Sequence, residues 1–184
     1  MKIFEVSKKQ LDDSFAPDLV KSKTWLANEL ANIRTRYDTI YVLGSWYGNM
    51  GVILFQERDI QFQRMYNVDV NRASLELGQE LVKDLGLDIQ AVQANANYLN
   101  YNKPSLVINT SVNNIENAGW FENIPQGTLV VLQSRNNDPQ AVNACNSPAE
   151  LAAQYPLSRV LYMDKLRLSN KQGSYARFMV IGVK

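Results

Sequence analysis

Apolar residues at Leu19, Leu26, Leu30, Ile33 and Tyr37 recur at steps that keep one helical face apolar, and Pro17 with Asp18 supplies a first-turn start. This spacing predicts an N-terminal helix over residues 18–37. The apolar run 40–43 then reads as a buried strand, followed by Gly44, Gly48 and Gly51 as a turn and by a helix ending near Gln56. The same alternation repeats downstream. Residues 65–70 form a second strand, and Asn71 caps a helix whose face carries Leu75, Gly78, Leu81, Val82 and Leu85 before Gly86 ends it. Further apolar strands are expected at 89–93, 105–110 and 128–133, with the weakest pattern at 95–103. Ser147, Pro148 and Glu150 make a capping box ahead of a short helix at 151–154.

The last two apolar runs, 159–168 and 175–183, are joined by only six residues, among them Gly173. A connector that short joins antiparallel neighbours, since a parallel crossover needs about a dozen residues or more. The expected fold is therefore α/β: a doubly wound, seven-stranded, mostly parallel sheet with an antiparallel last strand inserted beside the fifth. With 184 residues the chain reads as a single domain, 1–184, without an inserted substrate domain.

Composition narrows the chemistry. Nineteen Lys and Arg against eighteen Asp and Glu leave a net charge of +1, so no general attraction to nucleic acid or to an anionic membrane is built in. The chain has no His, which excludes imidazole-based acid–base and nucleophilic sites and nearly every zinc geometry. One cysteine, Cys145, makes no intrachain disulfide and reads as an inert thiol. The opening MKIFEVSKKQ lacks the apolar core of a secretion signal, and no apolar run approaches the length of a membrane helix, so a reducing cytoplasm is the expected compartment.

Open parallel sheets bind ligands beyond the carboxyl ends of their strands. Gly44-Ser45-Trp46-Tyr47-Gly48 follows the first strand, where glycines allow a tight turn and a close approach of backbone N–H groups to a ligand. The spacing is not the dinucleotide fingerprint, because Trp46 stands where a second glycine belongs. Asp69 and Val70 end the second strand, with Asp69 close to the offset of about 20 residues at which an acid receives a ribose diol. Asn95 follows the third strand and offers both a donor and an acceptor to a nucleobase edge; Asn109 and Ser111 follow the fourth.

With these features the chain resembles the class I S-adenosyl-L-methionine (SAM) dependent methyltransferases over roughly residues 38–184. The stretches YVLGSWYGN, NVDVN, LVINTSVNNI, WFENIPQGTLVVLQS and YARFMVIG look similar to a phage-encoded subgroup, which would place the chain in a host cytoplasm. The resemblance implies SAM as cofactor. It sets Gly44, Ser45, Trp46, Tyr47 and Gly48 toward the methionine part, Asp69 at the ribose, Asn95 by the adenine and Asn109 near the sulfonium, with Val70 a further cofactor-binding residue. Ser111, Asn113 and Glu116 are the substrate-side candidates, and the acceptor is held by the N-terminal helix, the loop after the fourth strand and the segment after Ser134, or by a protein partner.

Departures from the family accompany the likeness. Val42 stands where the glycine motif carries an acid, Trp46 replaces a glycine, and Asn95 replaces the commoner Asp. Asn109-Thr110-Ser111-Val112 lacks the proline-proline-aromatic run of amino-group methyltransferases, and Asn113-Asn114 stand where the subgroup has His. Glu116 and Tyr47 are the candidate proton acceptors, and no residue is assigned as catalytic. The alternative function is a methyltransferase-fold accessory protein that binds SAM, or nothing, without catalysis; a nicotinamide oxidoreductase is disfavoured by the terminal hairpin and the broken fingerprint. On simpler readings the glycines serve packing, Asp69 caps the following helix, and Trp120 and Phe121 cover the sheet.

Overall fold

The computed structural model describes residues 15–56 and 60–184; the opening decapeptide read for leader character lies outside the described residues. The elements run α1 (Pro17–Ile33), β1 (Arg36–Leu43), α2 (Asn49–Gln56), β2 (Gln61–Asp69), α3 (Arg72–Val82), β3 (Ile89–Gln93), β4 (Leu106–Asn109), α4 (Gly119–Glu122), β5 (Leu129–Arg135), α5 (Pro148–Gln154), β6 (Arg159–Asn170) and β7 (Gly173–Val183). The strands form one sheet in the order β3-β2-β1-β4-β5-β7-β6. The pairings from β3 through β5 are parallel, and β7 runs antiparallel to both β5 and β6. This is the doubly wound α/β sheet expected, with the last strand inserted beside β5.

The N-terminal helix stops at Ile33, short of the expected 37. Arg34 turns extended, with φ −160° and ψ 137°, and Tyr37 belongs to β1, where its buried ring sends the hydroxyl back to donate to the Arg34 carbonyl at 2.8 Å. An apolar residue four positions beyond Ile33 suits a helix face and a strand equally, so periodicity alone misassigned it. β1 and β2 also begin earlier than their apolar runs, because the polar residues Arg36 and Gln61 already pair with each other. The two caps read from sequence hold: Asn71 accepts from the Ser74 N–H at 3.1 Å, Ser147 accepts from the Glu150 N–H at 3.1 Å, and Glu150 reaches back to the Asn146 N–H at 2.8 Å.

Alternation along the central strands sorts side chains into two apolar layers. Ile40, Val42, Leu106, Ile108, Val131 and Ile181 face Leu26, Leu30, Met50 and Leu54 of α1 and α2. Tyr41, Leu43, Val107, Val130, Leu132 and Val180 face Trp120, Phe121, Leu151 and Tyr155 of α4 and α5. The helix after β1 thus covers one face, whereas the chain after β4 covers the other. Between these neighbouring strands the connections diverge, and a crevice opens at their carboxyl ends.

α3 approaches that crevice closely through Gly78. A Cβ there would lie 2.7 Å from the Tyr47 carbonyl oxygen and 2.8 Å from its carbon, contacts with backbone that cannot rotate away. Gly78→Ala is expected to destabilise the fold by about 1–3 kcal/mol, the usual cost of overpacking, although alanine ordinarily favours a helix. Urea unfolding measures this. A variant as stable as the parent would mean that α3 slides without cost.

Candidate functional site

The turn after β1 is built from left-handed residues at alternate positions: φ is 57° at Gly44, 51° at Trp46 and 66° at Gly48. Trp46 therefore holds the conformation of the glycine it replaces, at a cost of about 1–2 kcal/mol for a side-chain-bearing residue. Hydrogen bonds fix the turn from β2. Ser45 N–H donates to the Val68 carbonyl at 3.0 Å, and Trp46 N–H donates to Asp69 Oδ2 at 2.8 Å. Gly48 leaves no room for a side chain, since a Cβ would sit 2.3 Å from Asn67 Nδ2.

A cleft of about 750 Å³ lies over the strand ends. Of the residues expected at the cofactor, Gly44, Ser45, Trp46, Asp69, Val70 and Asn95 line it, as do the substrate candidates Ser111, Asn113 and Glu116. Three expected residues do not line it. Tyr47 is buried, with its ring 4.7 Å from that of Trp46, which covers it. Gly48 is buried against Asn67, and Asn109 is buried with Oδ1 accepting from the Ser111 N–H at 2.9 Å, which shapes the exit from β4. Trp120 and Phe121 pack against Tyr155 under the sheet.

Asp69 does not cap α3, a role that belongs to Asn71. Its two oxygens accept one backbone N–H each, from Trp46 at 2.8 Å and from Asn71 at 2.9 Å, which ties the turn to the end of β2. The carboxylate is half-buried and keeps lone pairs on the cleft side. Asn95 caps the short 3₁₀ turn Ala96–Tyr98 through Oδ1, at 3.0 Å from the Asn97 N–H. What it has left to offer is its NH₂ group.

The far wall of the cleft is cationic, and sequence reasoning missed it. Lys23 from α1, Arg135 at the end of β5 and Arg177 in β7 all line it. Lys23 Nζ donates to Asn49 Oδ1, and burial, reinforced by Arg177, lowers its pKa to about 7. Burial likewise brings Arg177 down to about 10. Arg135 Nε donates to Asp138 Oδ2 at 3.2 Å, and Asn113 Nδ2 donates to the same oxygen at 2.6 Å. Burial alone would raise the Asp138 carboxyl, but the hydrogen bonds from Arg135, the Gln140 N–H and Asn113 hold it below its ordinary value. The available signal was a charge inside the apolar run YARFMVIG, where an interior strand has little reason to carry one. A groove of similar size, about 690 Å³, runs beside the start of α1 and the β6–β7 hairpin and contains none of the expected residues.

No family model and no curated protein matches the sequence. Solved structures match the fold. The N-methyltransferase NodS from Bradyrhizobium japonicum WM9, in complex with S-adenosyl-L-homocysteine, is similar with a TM-score of 0.70 at 11% identity, over 94% of this chain and 90% of that one. TehB from Haemophilus influenzae gives a TM-score of 0.63 at 14% identity, over 85% and 61%. TrmK from M. capricolum, in complex with S-adenosyl-homocysteine, gives 0.55 at 14%, over 84% and 66%. The chain shares the fold of these proteins.

Lys23 makes stability depend on pH in a defined direction. With a folded pKa near 7 against an ordinary 10.5, the folded state binds fewer protons than the unfolded state between those values, so stability rises with pH across that window. Below pH 7 the charged ammonium is held in the fold and its cost is full. Melting temperatures are expected to climb from pH 7 to 9 more steeply for the parent than for Lys23→Met. Parallel slopes would mean that the ammonium is solvated.

Proposed function

We propose that the chain binds SAM in the cleft and transfers its methyl group to an acceptor held beside it, with residues 1–184 acting as one domain. The observation that carries this reading is the pairing of the left-handed turn with the Asp69 carboxylate at the reversal of strand order. Both border one cleft, in a fold shared with NodS and TrmK, whose structures hold S-adenosyl-homocysteine. The residues present suit the group. Ser45 Oγ is buried at the cleft without a partner, Asp69 retains acceptor capacity for a diol, and Asn95 keeps an NH₂ group for a base edge.

Bound SAM supplies an electrophilic methyl group on a positively charged sulfonium. On this reading Asp69 orients the ribose, Val70 and Asn95 border the adenine, Gly44 and Ser45 approach the methionine part, and the Trp46 indole walls the donor end. Ser111, Asn113 and Glu116 border the acceptor. Displacement at a methyl group needs alignment and exclusion of water more than a strong base, which suits a chain without His. The likeness of the YVLGSWYGN stretch to phage-encoded proteins, and with it a host cytoplasm, belongs to the same proposal. No helix among the described residues is long and apolar enough to cross a membrane.

A second reading, a SAM-binding accessory protein without catalysis, is favoured by one observation: of the two candidate proton acceptors, Tyr47 is buried and Glu116 stands exposed at the rim. Turnover of SAM to S-adenosylhomocysteine with a methylated product separates the two.

Asp69→Ala is expected to weaken S-adenosylhomocysteine by about 1.5–3 kcal/mol, the range for hydrogen bonds to a charged group, and to leave its 2′,3′-dideoxy analogue almost unaffected. Titration calorimetry with both ligands measures the difference; equal losses would make Asp69 a turn residue only. Trp46→Gly is expected to weaken SAM more than S-adenosylhomocysteine by about 0.5–2 kcal/mol, the size of a cation–π contact. Equal losses would leave shape as the role of the indole, and tighter binding of both would show that it fills the pocket.

A further inference from the structure

Arg177 is 7% exposed, and its Nε has no hydrogen-bond partner. One other arm of the guanidinium, Nη2, donates to the Thr110 carbonyl at the exit from β4. Its nearest strand neighbour makes matters worse, for Arg135 stands directly opposite it in the β5–β7 register. Like charges placed so oppose each other. Among the described residues of this wall Asp138 is the carboxylate, and it is already engaged by Arg135, Asn113 and the Gln140 N–H, while Asp18 acts on the guanidinium from the start of α1. Asn113 adds a second orphan. Its Nδ2 donates to Asp138 and Asn114, which settles the amide orientation, and leaves Oδ1 buried without a partner.

A buried guanidinium arm without an acceptor costs stability that apolar residues would not, and both residues that carry an orphan belong to the lining of the cleft, with the orphan atoms themselves buried behind it. We propose that this wall anchors the methyl acceptor, and that the acceptor is a small carboxylic acid whose carboxylate receives Arg177 Nε–H while an N–H or O–H of the same molecule donates to Asn113 Oδ1. The proposal rests on reading the cleft as a methyl-transfer site. A monoanion fits the charge, since Asp138 offsets Arg135 and, among the described residues, no carboxylate forms an ion pair with Arg177. In the sheet β7 is three strands from β1, but Arg177 reaches back to the Thr110 carbonyl and Ser111 abuts Gly44, so the carboxylate of the cofactor itself is the competing occupant that the test has to separate.

The test observes the Arg177 Nε–H resonance in ¹H–¹⁵N spectra of the whole chain, assigned by its loss in Arg177→Lys and Arg177→Gln, whose carboxylate affinity is read from the backbone amide shifts of Thr110 and Asn113. Acetate, glycine and glycolate are titrated with and without saturating S-adenosylhomocysteine, with acetamide as the neutral control and inorganic phosphate as the dianion. The carboxylates are expected to shift the resonance and acetamide to leave it in place. Both variants should weaken carboxylate binding about tenfold or more while retaining S-adenosylhomocysteine. Three results overturn the proposal: no response to any carboxylate, a stronger response to phosphate, or a shift produced by S-adenosylhomocysteine but not by 5′-methylthioadenosine, which would assign the site to the cofactor's own carboxylate. If S-adenosylhomocysteine fails to bind, the cofactor reading falls by itself, and the carboxylate titration of the free protein still decides whether Arg177 holds an acid.

Discussion

The central strands of the sheet are buried on both faces, and most of the structure follows from that constraint. β1, β4, β5 and β7 have apolar layers above and below, so their interiors are mostly apolar, with polar side chains such as Gln133 and Ser134 toward the carboxyl end of β5, and their backbone groups are consumed by pairing. Chemistry is pushed to the strand ends. There the chain must reverse or cross, and the divergence of the connections after β1 and β4 leaves a crevice that no apolar side chain closes. The polar residues of the cleft are the ones the core had no place for.

The turn after β1 shows how much local strain such a place can hold. Three left-handed residues in five are tolerated because β2 clamps the backbone through the Val68 carbonyl and the Asp69 carboxylate, while Gly78 lets α3 press against Tyr47. Trp46 accepts a glycine conformation so that an indole can stand at the cleft. A strained residue supported from several sides is a common feature of binding sites, and here the support comes from the same carboxylate that borders the ligand space. The group is structural toward Trp46 and Asn71 and at the same time part of the cleft wall.

Arg177 breaks the rule that the strand interiors obey. It sits in an apolar strand, opposite another arginine, with one arm unsatisfied among the described residues, and the Thr110 carbonyl together with Tyr175, Asp138 and Asp18 eases its position. The repulsion also reaches Lys23, contributing to the loss of its proton near neutral pH. Local and global preferences conflict at this wall, whereas elsewhere they agree. Conflict of that kind concentrates where a protein gives up stability for binding.

Much of this was determined by sequence alone. Runs of apolar residues with turn signals between them specify the strands, the caps at Asn71 and Ser147 follow from side chains that bond nearby backbone, and the short connector, which pairing narrows from the expected six residues to the two between Asn170 and Gly173, forces β7 antiparallel. These are local effects, carried by neighbours in the chain. Tyr37 marks the limit, because an apolar residue at that spacing satisfies two periods and only pairing with β2 decides between them. Gly44, Ser45, Trp46 and Asp69 were legible as residues at the strand ends, where the cleft lies, because their placement depends on the strand just before each. Tyr47 and Asn109 were not separable from Trp46 and Ser111, since the direction of a side chain at a strand exit depends on what packs beneath it. The cationic wall was decided by tertiary structure alone: Lys23, Arg135, Asp138 and Arg177 come from α1, β5, the loop after it and β7, and no spacing in the chain encodes a meeting that the sheet order creates.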